Sequence, residues 1–311
     1  MAKKAIVVVG PTASGKTSLG IYIAKKYNGE VISADSMQIY KDMSVSTAKP
    51  TAEEMDGIKH HLIDFVEITD KYSVSNYCDD ARKVFDDITS RNKLPVIVGG
   101  TGLYIDSFLS NTKFLDSACS EDVRNELQEE LKNKGIEEMY GQLKEIDPDA
   151  AERIHPNNTV RVLRALEVYR TTGMTITQQE EFSHSEESDI EPLFIGISYS
   201  DREKLYDRVN KRVDIMLENG MLDEAKAVFS GEYSVTAFNS IGCKEMKPYL
   251  DGEKSLEECV ETLKMSTRRY AKRQLTWFRR NEKINWVYPD LCEKNCLYET
   301  VDELIKNYLK G

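Results

Sequence analysis

The sequence predicts an α/β fold: a parallel sheet flanked by helices and interrupted by an all-helical insertion. Three observations predict it. A glycine-rich loop, "GPTASGKT" (Gly10–Thr17), joins a short apolar run to a stretch of helical periodicity. Further short apolar runs recur downstream with helical patterns between them, the alternation that builds a parallel sheet. From about Asp116 to Ser185 the apolar residues fall at helical spacing with no strand between them.

"KKAIVVVG" predicts the first strand and "SLGIYIAKKY" the helix after the loop. "GEVISADS" is a second strand ending at Asp35, and "NYCDDARKVFDDITSRN" a helix. "LPVIVGGTG" is a third strand that ends in a glycine turn at Thr101. Helical patterns then fill the insertion, which closes near the polar "SHSEESDIEP". "LFIGISYS" returns as a strand of the first sheet. Helices follow, including "DREKLYDRVNKRVDIMLENG", and then a last short strand, "INWVY". A P-loop NTPase-like core of residues 1–115 and 186–311 around a helical insertion of residues 116–185 is therefore expected. In such sheets ligands sit beyond the carboxyl ends of the strands, so the loop, Asp35 and Thr101 should converge on one site.

Bulk properties narrow the class. Hydrophobic residues make up 40% and charged residues 31% of 311, ordinary for a soluble protein. No apolar stretch approaches the ~18 residues of a membrane helix, and the amino terminus runs straight into a strand, so a cytoplasmic protein without membrane association is expected. The cysteines at 78, 119, 243, 259, 292 and 296 form no regular framework and are expected to be free thiols. His60 and His61 lack partners at ligand spacing and read as structural. A net charge of −11 excludes unselective coating of nucleic acid. Yet "KMSTRRYAKRQLTWFRRNEK" (Lys264–Lys283) is a local basic strip with three aromatics, suited to focused phosphate contact.

The glycine loop carries the strongest chemical signal. Its N–H groups and the positive end of the following helix cradle an anion, Lys16 reaches terminal phosphates, and the Thr17 hydroxyl ligates Mg²⁺. By itself the loop suggests nucleotide binding, ATP in particular, but any magnesium diphosphate satisfies it. Asp35, at a strand end beside the loop, can hold Mg²⁺ through water, accept a proton from a nucleophile, or cap the next helix. Gln38 carries an amide that both donates and accepts, able to read the edge of a base. Thr101 offers a hydroxyl in a turn whose glycines permit close approach.

These residues resemble a known family. "GPTASGKT", "DSMQIY", "TAKP", "HHLID", "VGGTGLY", "RVLRALEVY", "IGCKE" and "RRYAKRQLTWFRR" occur in the order expected of the tRNA isopentenyltransferase family, the bacterial tRNA dimethylallyltransferases. The resemblance spans about residue 5 to 287. It implies transfer of a dimethylallyl group from dimethylallyl diphosphate to N6 of adenosine 37, beside the anticodon of certain tRNAs. The product is N6-(dimethylallyl)adenosine and the leaving group is diphosphate.

On this resemblance the loop Gly10, Pro11, Thr12, Ala13, Ser14, Gly15, Lys16 and Thr17 is expected to hold the diphosphate. Arg208 matches a diphosphate position, and Arg212 lies one helical turn further on. Negative charge builds on the diphosphate as the allylic carbon–oxygen bond breaks, so Lys16, Mg²⁺ and arginines are the stabilisers required. Asp35 resembles the family's acceptor of the amine proton, and Thr101 a contact near the reacting amine. Thr17 and Asp35 are the expected magnesium residues.

A stacked base cannot reach a buried diphosphate, so it must be drawn out while a platform holds the rest of the loop. Arg269, Lys272, Arg273 and Arg280 are the candidate phosphate contacts, and Trp277 or Phe278 serves stacking or packing. The resemblance adds Ser36, Met37, Gln38, Gly242, Lys244 and Gln274 to the expected tRNA surface. It also assigns the insertion to the anticodon stem, through Arg124, Arg161 and Arg164, the latter two beginning the helix that closes it. A monomer is expected. Two departures stand out: Cys243 replaces the tyrosine of many members, and the tail beyond Tyr288 lacks the zinc finger of eukaryotic relatives.

Two rival readings remain at this level. An ATP-dependent small-molecule or nucleotide kinase would share the loop and sheet but leaves the basic strip unexplained. An RNA-binding NTPase switch would need a guanine-reading segment such as NKxD, which the sequence lacks.

Overall fold

In the computed structural model, which describes residues 2–114, 121–183, 188–292 and 296–310, the chain forms two compact units. One comprises Met1–Leu109 with Asp189–Gly311, the other Ser110–Ser188. The seams thus fall at Ser110 and Ser188 rather than at 116 and 185. Cys119, the expected start of the insertion and residues 184–187 of its closing segment lie outside the described residues.

The larger unit begins with β1 (Lys3–Val9), α1 (Lys16–Lys26), β2 (Gly29–Ala34), β3 (His60–His61), α2 (Val74–Ser90), β4 (Leu94–Gly99) and α3 (Gly102–Leu109). The smaller unit holds α4 (Glu121–Ile146), α5 (Pro148–Arg153), α6 (Thr159–Thr172) and α7 (Ile176–Ser183). The larger unit resumes with β5 (Ile190–Ile197), α8 (Arg202–Glu218), α9 (Met221–Ser230), α10 (Val235–Phe238), α11 (Cys243–Leu250), α12 (Leu256–Phe278), β6 (Asn285–Val287) and α13 (Cys296–Lys310).

The sheet is parallel throughout, in the order β3-β2-β4-β1-β5-β6. Its central strands are buried on both faces, which is why they read as unbroken apolar runs. One face packs Val7, Ile32, Ile97 and Phe194 against Phe85 of α2, Phe108 of α3 and Phe278 of α12. The other packs Ile6, Val8, Val31 and Val96 against Leu19 and Ile23 of α1 and Ile305 of α13. The two-residue β3 joins through His61, whose Nε2 lies 2.7 Å from Glu30 Oε2, a buried carboxylate also held by Arg91 and Lys93.

Register fixes the site. Val9 pairs with Gly99, and Gly99 with Ala34, so three strands end side by side. The glycine loop, Asp35 and Thr101 therefore leave the sheet along one rim, as doubly wound sheets require.

In the smaller unit Leu127, Met139 and Leu143 of α4 meet Val162 and Leu166 of α6. Gly135 (φ +79°) breaks α4 into two helical stretches. Asn158 caps α6 by accepting from the Arg161 N–H, and Gly173 (φ +73°) ends it. The helix begun by Arg161 and Arg164 is followed by α7, so it does not itself close the insertion. No helix among the described residues is long and apolar enough to cross a membrane. Cys78, Cys243, Cys259, Cys292 and Cys296 are free thiols.

Candidate active site

The loop between β1 and α1 is shaped by its backbone. Gly10 (φ +151°) turns where a Cβ would stand 2.2 Å from the Ile197 carbonyl oxygen, and Gly15 (φ +102°) opens α1. Ala13 holds φ +63° between them, a left-handed position that costs an alanine about 1 kcal/mol. Such reversals gather successive N–H groups at the positive helix end, the geometry of an anion cradle. The Thr12 N–H is not a free member of this set, because it donates to Gln274 Oε1 at 2.8 Å.

Lys16 donates to the Pro11 carbonyl at 2.7 Å. Burial, reinforced by Arg212 and opposed by Asp35, pulls its ammonium down to about 7. Ser14 Oγ and Arg212 Nε are buried with no hydrogen-bond partner among the described residues. A phosphate would supply the acceptors these donors lack.

The two arginines of α8 separate in role. Arg212 lines a cavity of 330 Å³ with Lys16, Thr17 and Asp35, and its Nη2 donates to the Thr47 carbonyl at 3.3 Å. Burial lowers it against the pull of Asp35 and Glu54. Arg208 is exposed: its Nε donates to the Ala13 carbonyl at 3.0 Å and its guanidinium lies 5.2 Å from the Tyr199 ring centroid. In this arrangement Arg208 braces the outside of the loop while Arg212 faces the cavity.

Asp35 sits just past β2 and performs one of its anticipated tasks visibly. Its Oδ1 accepts the N–H groups of Met37 at 2.9 Å and Gln38 at 3.3 Å, pinning a turn of residues 36–39 where no α-helix follows. Oδ2 has no hydrogen-bond partner among the described residues. Thr17 and Asp35 thus present a hydroxyl and a carboxylate to one cavity, hard oxygens that suit Mg²⁺. No cluster of three or more His, Cys, Asp or Glu with metal spacing occurs among the described residues. A hydroxyl and a carboxylate would leave most of the shell of such an ion to water and phosphate oxygens.

Gln38 Nε2 donates to the Thr47 and Ala48 carbonyls at 3.1 and 3.2 Å, leaving Oε1 for a ligand. Ser36 and Met37 also line the cavity. Thr101 does not; its Oγ1 accepts the Ser36 N–H at 3.0 Å from behind. Tyr270, which the sequence reading passed over inside the basic strip, does line the cavity. Burial foremost, with the Asp35 charge, pushes its hydroxyl well up against the opposing influence of Thr101, Arg273 and Gln274, so it stays protonated. Its spacing from Gln274, one helical turn, was the available signal.

The basic strip lies on α12, whose start is fixed by a capping box between Ser255 and Glu258. Leu263, Thr267, Ala271, Gln274 and Phe278 form its buried face, and Arg269, Lys272 and Arg273 its exposed one. Phe278 is core, whereas Trp277 is half-buried with Nε1 donating to Asp106 Oδ2 at 2.7 Å. The exposed Arg280 lies 5.8 Å from the Trp277 ring centroid. Gly242 (φ +116°) lines the cavity against Ser46, and the exposed Lys244 stands just beyond it. Cys243 is buried, its Sγ donating to Ser46 Oγ at 3.8 Å, and does not reach the cavity. The apolar wall is built by Met216, Ile241 and Leu263.

Within the smaller unit, Arg124 and Arg164 both grip the buried Glu167, each at 3.0 Å. The Arg161 side chain is exposed at the start of α6.

Comparison with known proteins bears on this constellation. The family described as IPP transferase matches residues 38–281. A tRNA dimethylallyltransferase of Acetivibrio thermocellus is 50% identical over 97% of this chain and 95% of its own. One from Oceanobacillus iheyensis is 44% identical over 100% and 98%. Among solved structures, a tRNA isopentenylpyrophosphate transferase of Bacillus halodurans matches with TM-score 0.73 and 42% identity, covering 99% of this chain and 98% of that one. A eukaryotic dimethylallyltransferase acting on tRNA matches with TM-score 0.82 and 32% identity, over 98% and 80%.

Proposed function

The chain belongs to the IPP transferase family, and on that premise we propose that it transfers a dimethylallyl group from dimethylallyl diphosphate to N6 of adenosine 37 in tRNA, releasing diphosphate. One observation carries the reading: Lys16, Arg212 and Asp35 share a single cavity with Tyr270 and Arg273 of the basic helix.

The chemistry follows from that wall. Cleavage of the allylic carbon–oxygen bond loads negative charge onto the diphosphate, where the loop N–H groups, Lys16 and Arg212 lower its energy. Thr17, with Asp35 through water, would hold Mg²⁺, which would supply further charge neutralisation. Met216, Ile241 and Leu263 offer the five-carbon chain an apolar surface. The adenine amine is a weak nucleophile because its lone pair is delocalised. Asp35 takes its proton as the carbon–nitrogen bond forms. Tyr270, protonated, keeps a hydroxyl hydrogen to donate beside that carboxylate.

The base reaches this depth by leaving its stack. Arg269, Lys272, Arg273 and Arg280 hold the anticodon-loop phosphates, and Arg161 with its neighbours holds the stem. The enzyme works as a cytoplasmic monomer.

The test combines the protein with unmodified tRNA, Mg²⁺ and labelled dimethylallyl diphosphate, with a parallel arm in labelled ATP. Label in N6-(dimethylallyl)adenosine at position 37, with ATP untouched, is the expected result. Absence of label there sinks the reading, and ATP turnover with a small acceptor would favour a kinase.

A further inference from the structure

Gln274 looks from its surroundings like one more polar residue on an RNA-binding helix. Its position says otherwise. It is 5% exposed and belongs to the buried face of α12. Its Oε1 accepts the Thr12 N–H of the phosphate loop at 2.8 Å, and its Nε2 donates to the Gly100 carbonyl at 3.0 Å. The fit at the second contact is close: a Cβ on Gly100 would stand 2.1 Å from Nε2. Gly100 leads into Thr101, which takes the Ser36 N–H beside Asp35.

One amide therefore ties the diphosphate end of the cavity to its amine end. On the opposite, exposed side of the same helix stand Arg269 and Lys272, while Arg273, next to Gln274, lines the cavity. From this geometry we infer that Gln274 is a positioning residue, not a tRNA contact: it fixes the spacing of the phosphate loop and the Thr101 turn, and passes the docking of tRNA on α12 to both. The inference rests on the prenyl-transfer reading above. In an in-line displacement the reacting amine and the departing diphosphate must lie on opposite sides of one carbon. An error of about 1 Å in that spacing costs on the order of 100-fold in rate.

The amide is the one side-chain chemistry that serves both loops, since one asks for an acceptor and the other for a donor. Gln274→Met keeps the shape and loses both arms. Gln274→Glu keeps the Thr12 arm and sets a carboxylate against the Gly100 carbonyl.

The test measures single-turnover transfer from dimethylallyl diphosphate with saturating enzyme, tRNA binding by filter retention, and thermal unfolding, for the wild type and both variants. The expected result is a saturated rate lowered about 10- to 100-fold in Gln274→Met, with tRNA affinity within about twofold and the assay run below the melting transition. Thr101→Val added to Gln274→Met should lower the rate by less than the product of the single losses, because both act through one turn. A tRNA affinity that falls while the saturated rate holds would overturn the inference in favour of direct RNA contact. Unchanged rate and affinity in a variant that only melts earlier would overturn it in favour of packing alone. Failure of the wild type to label adenosine 37 would strike the functional reading instead, so the two failures are separable.

Discussion

Asp35 Oδ1 accepts the Met37 N–H at 2.9 Å, so the carboxylate assigned to proton transfer also folds the turn that carries its neighbours. The two tasks are separable. Asn in place of Asp35 retains an oxygen for the turn and removes the base, whereas Ala removes both. Asp35→Asn should lower the chemical rate by about 10²–10⁴ with tRNA affinity little changed. Asp35→Ala should lose affinity as well. Equal losses of rate and affinity in the Asn variant would speak against the base.

Lys16 gives the site a pH signature. In the folded protein it gives up its proton near pH 7, while an unfolded lysine keeps it to about 10.4. Between these values the unfolded chain binds more protons, so this residue makes stability rise with pH across that window. Diphosphate favours the charged form, so its binding should take up a proton and weaken as pH rises past about 7. Calorimetric titration of inorganic diphosphate at pH 8 in buffers of different ionisation heat measures the uptake. Lys16→Met should abolish it.

Glu30 is the contrasting case, remote from chemistry. Arg91 above all, with Lys93 and His61, outweighs burial and holds its carboxyl well below the usual carboxylate range. Its stabilising effect is complete above the unfolded value of about 4.3 and is lost as pH falls below it. Glu30→Gln should cost about 2 kcal/mol at pH 7, and the gap to wild type should narrow in melts at pH 3. A gap that stays constant with pH would mean the loss is one of packing.

The arginines of the smaller unit should divide by their partners. Arg161, exposed, should act on RNA alone: Arg161→Ala lowers tRNA affinity and reduces the slope of log affinity against log salt by about 1. Arg124 holds Glu167, so Arg124→Ala should in addition lower the melting temperature. Salt titrations and melts of both variants decide it.

Much of this was legible in the sequence where local chemistry and global fold agree. Strands buried on both faces announce themselves as apolar runs, and the glycine loop has one plausible context. The edge strand His60–His61 left no period to detect, being two residues held by a partner 31 positions away in sequence. Arg208 and Arg212 share one helix face, and spacing alone could not tell which meets the cavity and which the back of the loop. Tyr270 was hidden by composition, and Gln274 was expected on the tRNA surface: in a strip of arginines and lysines, nothing marks which residues turn inward.

The run Gly99, Gly100, Thr101, Gly102 carries one more consequence. A Cβ would meet the Ala34 carbonyl at 2.1 Å from Gly99, the Gln274 amide at 2.1 Å from Gly100, and the Trp277 ring at 2.2 Å from Gly102. Three neighbouring positions are thus kept bare by three unrelated obstacles. In a library of paired substitutions they should show different genetics. Alanine at 102 should be rescued by trimming Trp277, and alanine at 100 relieved sterically but not catalytically by trimming Gln274. Alanine at 99 should find no suppressor, since what it strikes is main chain.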